Sequence, residues 1–123
     1  CTNGNFARQY GLPGTFSPIA SFGLLQSAVK QAEKKKLPHK VGNILSSDTF
    51  YDDGARTMDW AKMGVLAVEM EAAALYMTAA RAGKNALCIC TVSDSLVTGE
   101  ALGAKERQTS FNDMMLLALE IAE

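Results

Sequence analysis

Val65-Leu66-Ala67-Val68-Glu69-Met70-Glu71-Ala72-Ala73-Ala74-Leu75-Tyr76-Met77 decides how this chain is read. Val65–Val68 is a short apolar run, the pattern of a strand buried on both faces. From Glu71 onward the residues are strong helix formers. Strand therefore becomes helix within two or three residues, and the turn between them carries Glu69 and Glu71. In a parallel α/β sheet, ligands sit beyond the carboxyl ends of strands, where helices begin. The positive end of the helix dipole favours a carboxylate there.

Working outward, the spelling alternates between strand and helix. Residues 1–20 hold glycines, prolines and small polar residues and read as loop, with a short strand end at the beginning. Arg8 and Tyr10 are candidates to face a ligand from this loop, although a solvated loop is the plainer account. Ser21–Lys36 is an amphipathic helix with Leu24, Leu25, Ala28, Val29 and Ala32 on one face and Ser21 as N-cap. Lys34, Lys35 and Lys36 suit its last turn, and Pro38 stops it. Val41–Ser47 reads as a strand, Thr57–Met63 as a short helix with Trp60 packed on the sheet, and Gly64 as its stop.

The helix after Glu71 is expected to run to about Ala82 and close at Gly83. Asn85–Ser93 is a second fully apolar strand, Ser95–Lys105 a mobile loop, and 104–122 a final helix with Met114, Leu117, Ala118 and Ile121 on one face. This alternation indicates α/β with at least partly parallel pairing. Right-handed crossovers place the strand ends that carry Phe50, Glu71 and Asp94 on one edge of such a sheet.

Composition narrows the function classes. A chain of 123 residues suits one domain, and 48% hydrophobic residues is too many for disorder. A net charge of −1 does not point to nucleic acid or an anionic membrane. The lysine run is short, lacks aromatic partners and reads as a solvated helix end. No apolar run reaches bilayer-spanning length or resembles a signal peptide. Cys88 and Cys90 are two apart on an expected strand, where they do not pair easily, so a reduced, cytoplasmic protein is expected. His39, the sole histidine, is expected to be exposed, and a lone histidine makes no metal site. A chain opening at Cys1 and not at Met is expected to be truncated. No glycine-rich phosphate motif of the P-loop or dinucleotide type is present.

Four stretches carry a resemblance. They are S-S-D-T-F-Y (Ser46–Tyr51), V-E-M-E-A-A (Val68–Ala73), T-V-S-D (Thr91–Asp94) and E-R-Q-T-S-F-N-D-M (Glu106–Met114). Together and in this order, they resemble the nucleoside phosphorylase superfamily, and within it the hexameric type of bacterial purine nucleoside phosphorylase. Residues 1–20 match only loosely. The resemblance implies a three-layer α/β/α fold with a mixed, largely parallel sheet. Residues 1–123 are then the C-terminal half of a single nucleoside phosphorylase domain. It further implies phosphorolysis of purine nucleosides, with phosphate as co-substrate and no cofactor, in a homohexamer built as a trimer of dimers.

The implied roles fit the residue types. Glu71 offers acceptor oxygens to the ribose 2′- and 3′-hydroxyls. A structural carboxylate at a helix N-terminus is the competing account of it. Glu69 is read as structural. Val68 and Met70 line the sugar and base pocket, and Phe50 stacks on the nucleobase. Asp94 protonates the purine at N7, which is general acid catalysis. A carboxyl in water is ionised at neutral pH, so the acid needs help. Arg107 supplies it by approaching as the proton leaves and stabilising the carboxylate product. Ser93 sits beside the base or holds Asp94. A surface salt bridge between Asp94 and Arg107, of little energy, is the alternative.

The family's phosphate loop lies in the half not present, so residues 1–123 alone are expected to be inactive. Uridine phosphorylase and methylthioadenosine nucleosidase share the fold, and a non-catalytic nucleoside-binding fragment is the alternative from another class. Asp94 followed by E-R-Q-T argues against the first, and the tail motif through Arg107 against the second.

Overall fold

The computed structural model describes residues 1–2, 4–49, 56–103, 105 and 111–122. In chain order they form a 3-10 helix (Phe6–Tyr10), α1 (Phe22–Lys34), β1 (Ile44–Ser46), α2 (Thr57–Lys62), β2 (Ala67–Glu69), α3 (Ala72–Arg81) and α4 (Asn112–Ile121). Helices and a small parallel sheet make this an α/β chain. It divides into two compact units, Cys1–Ser21 with Lys40–Cys88, and Phe22–His39 with Ile89–Glu123.

In the first unit, β1 and β2 pair in parallel with the register Ile44–Ala67, Leu45–Val68 and Ser46–Glu69. The expected strand Val41–Ser47 is thus regular only over its last residues. The pairing is carried one step beyond each end by Leu66 N on Asn43 O at 2.8 Å and Ser47 N on Glu69 O at 2.8 Å. Residues 1 and 2 supply the expected short strand end. Thr2 bridges Ser46 in parallel, and Ser46 N donates to Cys1 O at 2.9 Å. Most backbone groups along β1 are satisfied by one of these two neighbours, as a buried strand requires.

The apolar run before Glu69 is not buried on both faces. Leu66 is 48% and Val68 41% exposed. A strand becomes doubly buried only where layers cover both faces, and in this chain the Leu66–Val68 face stays open. Nor does a strand form among residues 85–93. Ala86 pairs with Ser21, through its amide on Ser21 Oγ and its carbonyl on Ser21 N, both at 2.9 Å. Ser21, expected to cap α1, thereby spends its hydroxyl on Ala86. The Cys88 amide goes to the Tyr76 hydroxyl at 2.9 Å. Apolar composition makes a segment able to be a strand, but a ladder partner makes it one.

The stops of α1, α2 and α3 follow one pattern. α2 ends with Gly64 N on Ala61 O and Val65 N on Trp60 O, and α3 with Gly83 N on Ala80 O and Lys84 N on Ala79 O. These are Schellman closures around glycines at φ 80° and 64°. α1 closes in the same way, with Lys36 N on Glu33 O and Leu37 N on Ala32 O, but around Lys36 at φ 56°. A side chain with a Cβ pays for that left-handed turn, whereas glycine does not. Trp60 is half-buried.

In the second unit α1 packs against α4, and Lys35 Nζ meets Glu120 Oε1 at 2.8 Å. Ala28 and Ala32 are the buried points of the expected α1 face. On α4, Leu117 is buried and Met114 and Ile121 are half-buried, while Ala118, placed on that face by the spacing, is exposed. The Thr91 hydroxyl donates to Met114 Sδ at 3.4 Å. No helix among the described residues is long and apolar enough to cross a membrane. Cys1, Cys88 and Cys90 form no disulfide.

Candidate functional site

The junction quoted at the outset folds as strand, turn and helix, with β2 ending at Glu69 and α3 starting at Ala72. The first amides of a helix have no intrahelical acceptor and need one from outside. Glu69 Oε2 accepts two of them, from Glu71 at 2.7 Å and Ala72 at 2.6 Å. The next amide, of Ala73, donates to Ser46 Oγ at 3.1 Å. The last register pair of the sheet, Ser46 and Glu69, therefore supplies both acceptors.

Glu71 is the N-cap by position, with φ −123° and ψ −26°, but its side chain caps nothing. Its carboxylate is exposed, and Oε2 lies 3.3 Å from its neighbour's amide, Met70 N. The structural task at this helix start thus falls to Glu69, which the sequence reads as structural without saying how. Glu71 keeps its oxygens turned to the surface. Glu69 Oε1 is buried and has no hydrogen-bond partner. Val68 and Met70 are 41% and 40% exposed, an open apolar surface beside Glu71.

Upstream, the S-S-D stretch is bound into the same unit. Ser46 and Ser47 are buried, at 5% and 6% exposure. Ser47 Oγ donates to Thr49 O at 3.0 Å, and the N-terminal loop closes over Asp48 through Asn5 N on Oδ2 at 3.3 Å. Gly4 lies against this carboxylate, leaving no room for a Cβ. Tyr10, a candidate ligand contact, lies under the Arg81 guanidinium, 5.3 Å from ring centroid to Arg81 Cζ. Arg8 is exposed on the 3-10 helix.

Ser93 and Asp94 belong to the second unit. Ser93 Oγ donates to Asp94 Oδ2 at 2.7 Å, which holds the carboxylate in place. Asp94 bridges Ala101 in antiparallel fashion, and Leu102 N reaches Ser93 O at 2.8 Å. Ser95 N on Glu100 O at 2.7 Å and Thr98 N on Ser95 Oγ at 3.1 Å close the turn. Residues 95–102 of the stretch expected to be a mobile loop, Ser95–Lys105, thus form a hydrogen-bonded hairpin with Ser93 and Asp94, with Asp94 exposed on it. Phe50 and Arg107 lie outside the described residues. His39 is exposed, with Nδ1 2.9 Å from Leu37 O. Among the described residues no three His, Cys, Asp or Glu side chains converge as a metal site.

One contact escaped the sequence reading. Ser46 sits within a recognised motif, yet nothing local says that its hydroxyl serves a helix beginning 26 positions later; that follows from the parallel register.

A family model described as the phosphorylase superfamily matches residues 2–122. A relative from Clostridium novyi (strain NT), named purine nucleoside phosphorylase DeoD-type, is 52% identical over 124 residues, covering 100% of this chain and 53% of its own length. One of the same name from Caldanaerobacter subterraneus subsp. tengcongensis is 57% identical over 108 residues, covering 87% of this chain and 47% of its own. A third, from Tolumonas auensis, is 49% identical over 121 residues, with 98% and 51% covered. The chain spans about half the length of the curated relatives it matches.

Proposed function

Because this chain belongs to the phosphorylase superfamily, we propose that it is the C-terminal half of a purine nucleoside phosphorylase, handling the nucleoside while the other half holds phosphate. The observation that carries this reading is the identity, 52% over the whole chain, to a relative of that name. The proposed fold of the whole protein is a three-layer α/β/α domain with a largely parallel sheet. Its proposed setting is the cytoplasm, as a homohexamer without a cofactor.

In the proposed reaction a phosphate oxygen attacks C1′ of the sugar. The bond from C1′ to the purine N9 breaks, and its electron pair leaves with the base. Positive charge builds on the sugar and negative charge on the purine. Glu71 answers the first by accepting the 2′- and 3′-hydroxyl protons in charge-assisted hydrogen bonds, each contributing about 1.5–3 kcal/mol. The exposure of its carboxylate, with Glu69 serving the helix, supports that role. Asp94 answers the second by giving its proton to N7, held by Ser93 and assisted by Arg107. Val68, Met70 and Phe50 supply apolar contact to sugar and base.

The test is phosphate dependence. The full-length protein, given inosine or adenosine and phosphate, is expected to release free base and ribose 1-phosphate, and residues 1–123 alone to release neither. Equal turnover without phosphate would favour a hydrolase of the same fold and overturn the proposal.

A further inference from the structure

Glu71 has no side-chain hold on the helix it precedes. Its place is set by its own backbone and by what anchors the amides on either side. Its own amide is taken by Glu69 Oε2, and that of Ala73, two residues on, by Ser46 Oγ. Ser46 is well suited to act as a fixed point. It is 5% exposed, its amide donates to Cys1 O at 2.9 Å, and its carbonyl accepts the Thr2 hydroxyl at 2.7 Å. A hydroxyl on a strand held from both edges is a rigid acceptor, while a helix start without acceptors frays.

We infer that Ser46 is a positioning residue for Glu71: by holding the Ala73 amide it fixes the first turn of α3, and so the carboxylate that receives the sugar hydroxyls. This inference rests on the reading of Glu71 proposed above. The consequence is specific. Loss of the Ser46 hydroxyl leaves Glu71 chemically intact but less well placed, and small misplacements of a binding group are costly in the transition state. The loss is therefore felt most by substrates that use Glu71 fully. A 2′-deoxynucleoside, which lacks one of its two hydroxyl partners, is less affected.

The experiment compares inosine with 2′-deoxyinosine in the full-length protein. Ser46→Ala is expected to lower kcat/KM for inosine by about three- to tenfold, the loss of one hydrogen bond of ordinary strength, and that for 2′-deoxyinosine by less. In a Glu71→Gln background the same change is expected to leave the ratio of the two substrates unaltered, because residues acting through one another are not additive. Ser46→Thr, which keeps the hydroxyl, is expected to restore the ratio. Amide hydrogen exchange at Ala73, which needs no turnover, is expected to quicken about tenfold in Ser46→Ala.

Should Ser46→Ala fail to fold, Ser46→Cys keeps the size with a weaker acceptor and serves the same comparison. Equal losses on both substrates, additive with Glu71→Gln, would make Ser46 a purely structural residue and overturn the inference. Unchanged exchange at Ala73 would overturn it as well. An unaltered protein that does not cleave inosine in phosphate overturns the underlying reading, and the inference with it.

Discussion

The two junctions that carry candidate chemistry are built in opposite ways. At residues 67–73 the groups that hold the turn come from far apart in the chain. Ser46 and Glu69 meet as a register pair and together take three amides at the start of α3. At residues 93–102 the hydrogen bonds seen among the described residues are local. Ser93 holds Asp94, Asp94 bridges Ala101, and Ser95, Thr98 and Glu100 close the turn among themselves. A long-range junction ties a binding group to the sheet, so its geometry is shared with fold stability. A local hairpin carries its acid on a surface whose loss costs the rest of the molecule little. The contrast predicts that substitutions separate cleanly into those read in catalysis and those read in stability.

The largest expected effect tests the local junction. In the full-length protein Asp94→Ala should lower kcat for natural purine nucleosides by about 10²–10⁴-fold, the usual contribution of a general acid. The loss should be far smaller for a nucleoside whose base departs without protonation, and Tm should move little because Asp94 is exposed. Equal losses on both substrates would assign Asp94 to binding or structure.

The next effect sets the two carboxylates of the long-range junction against each other. Glu71→Gln is expected to cost about 10–100-fold in kcat/KM, as the loss of a charge-assisted hydrogen bond does, with Tm almost unchanged. Glu69→Ala is expected to lower stability by about 1–2 kcal/mol, since two helix amides lose their acceptor. Thermal unfolding and steady-state kinetics on both variants check the pair. A Glu71→Gln protein that unfolds readily while keeping its kcat/KM would make Glu71 the cap and undo the contrast.

The smallest effect concerns how helices stop in the two units. Gly64 and Gly83 close α2 and α3 in the first unit, whereas Lys36 closes α1 in the second with the same hydrogen bonds and a positive φ. Lys36→Gly relieves the Cβ conflict at some entropic cost and is expected to stabilise by about 0.5–1 kcal/mol. A rise in Tm supports this; a fall would mean that Lys36 contributes through its side chain more than its backbone costs.

Local chemistry was legible in the sequence. The α3 start was visible as a change from β-branched and apolar residues to an alanine-rich run, and Gly64 and Gly83 marked stops because only glycine takes a left-handed turn freely. The face of α1 followed from spacing, and Ala28 and Ala32 lie buried on it. Glu71 stood out because a carboxylate at a strand–helix junction suits either a ligand or the helix N-terminus. What spacing cannot report is pairing. The run 85–93 is as apolar as the segment leading into β2, yet it forms no strand, because a strand is completed by a neighbour and not by its own residues.

For the same reason the division of labour between Glu69 and Glu71 was undecidable from their order. Glu69 lies three residues before the helix and Glu71 immediately before it, and either side chain is long enough to reach its amides. The register that brings Ser46 opposite Glu69 decided it, placing one carboxylate under the helix start and leaving the next at the surface. The sequence by itself determined which segments become helix, where they stop and which residue types stand at the junctions, since these depend on neighbours within a few residues. The tertiary structure alone decided which strand was completed and which polar group held which amide. The strand pairing and the Ser46–Ala73 bond join residues far apart in the chain, and a single-residue slip in the register would reassign both.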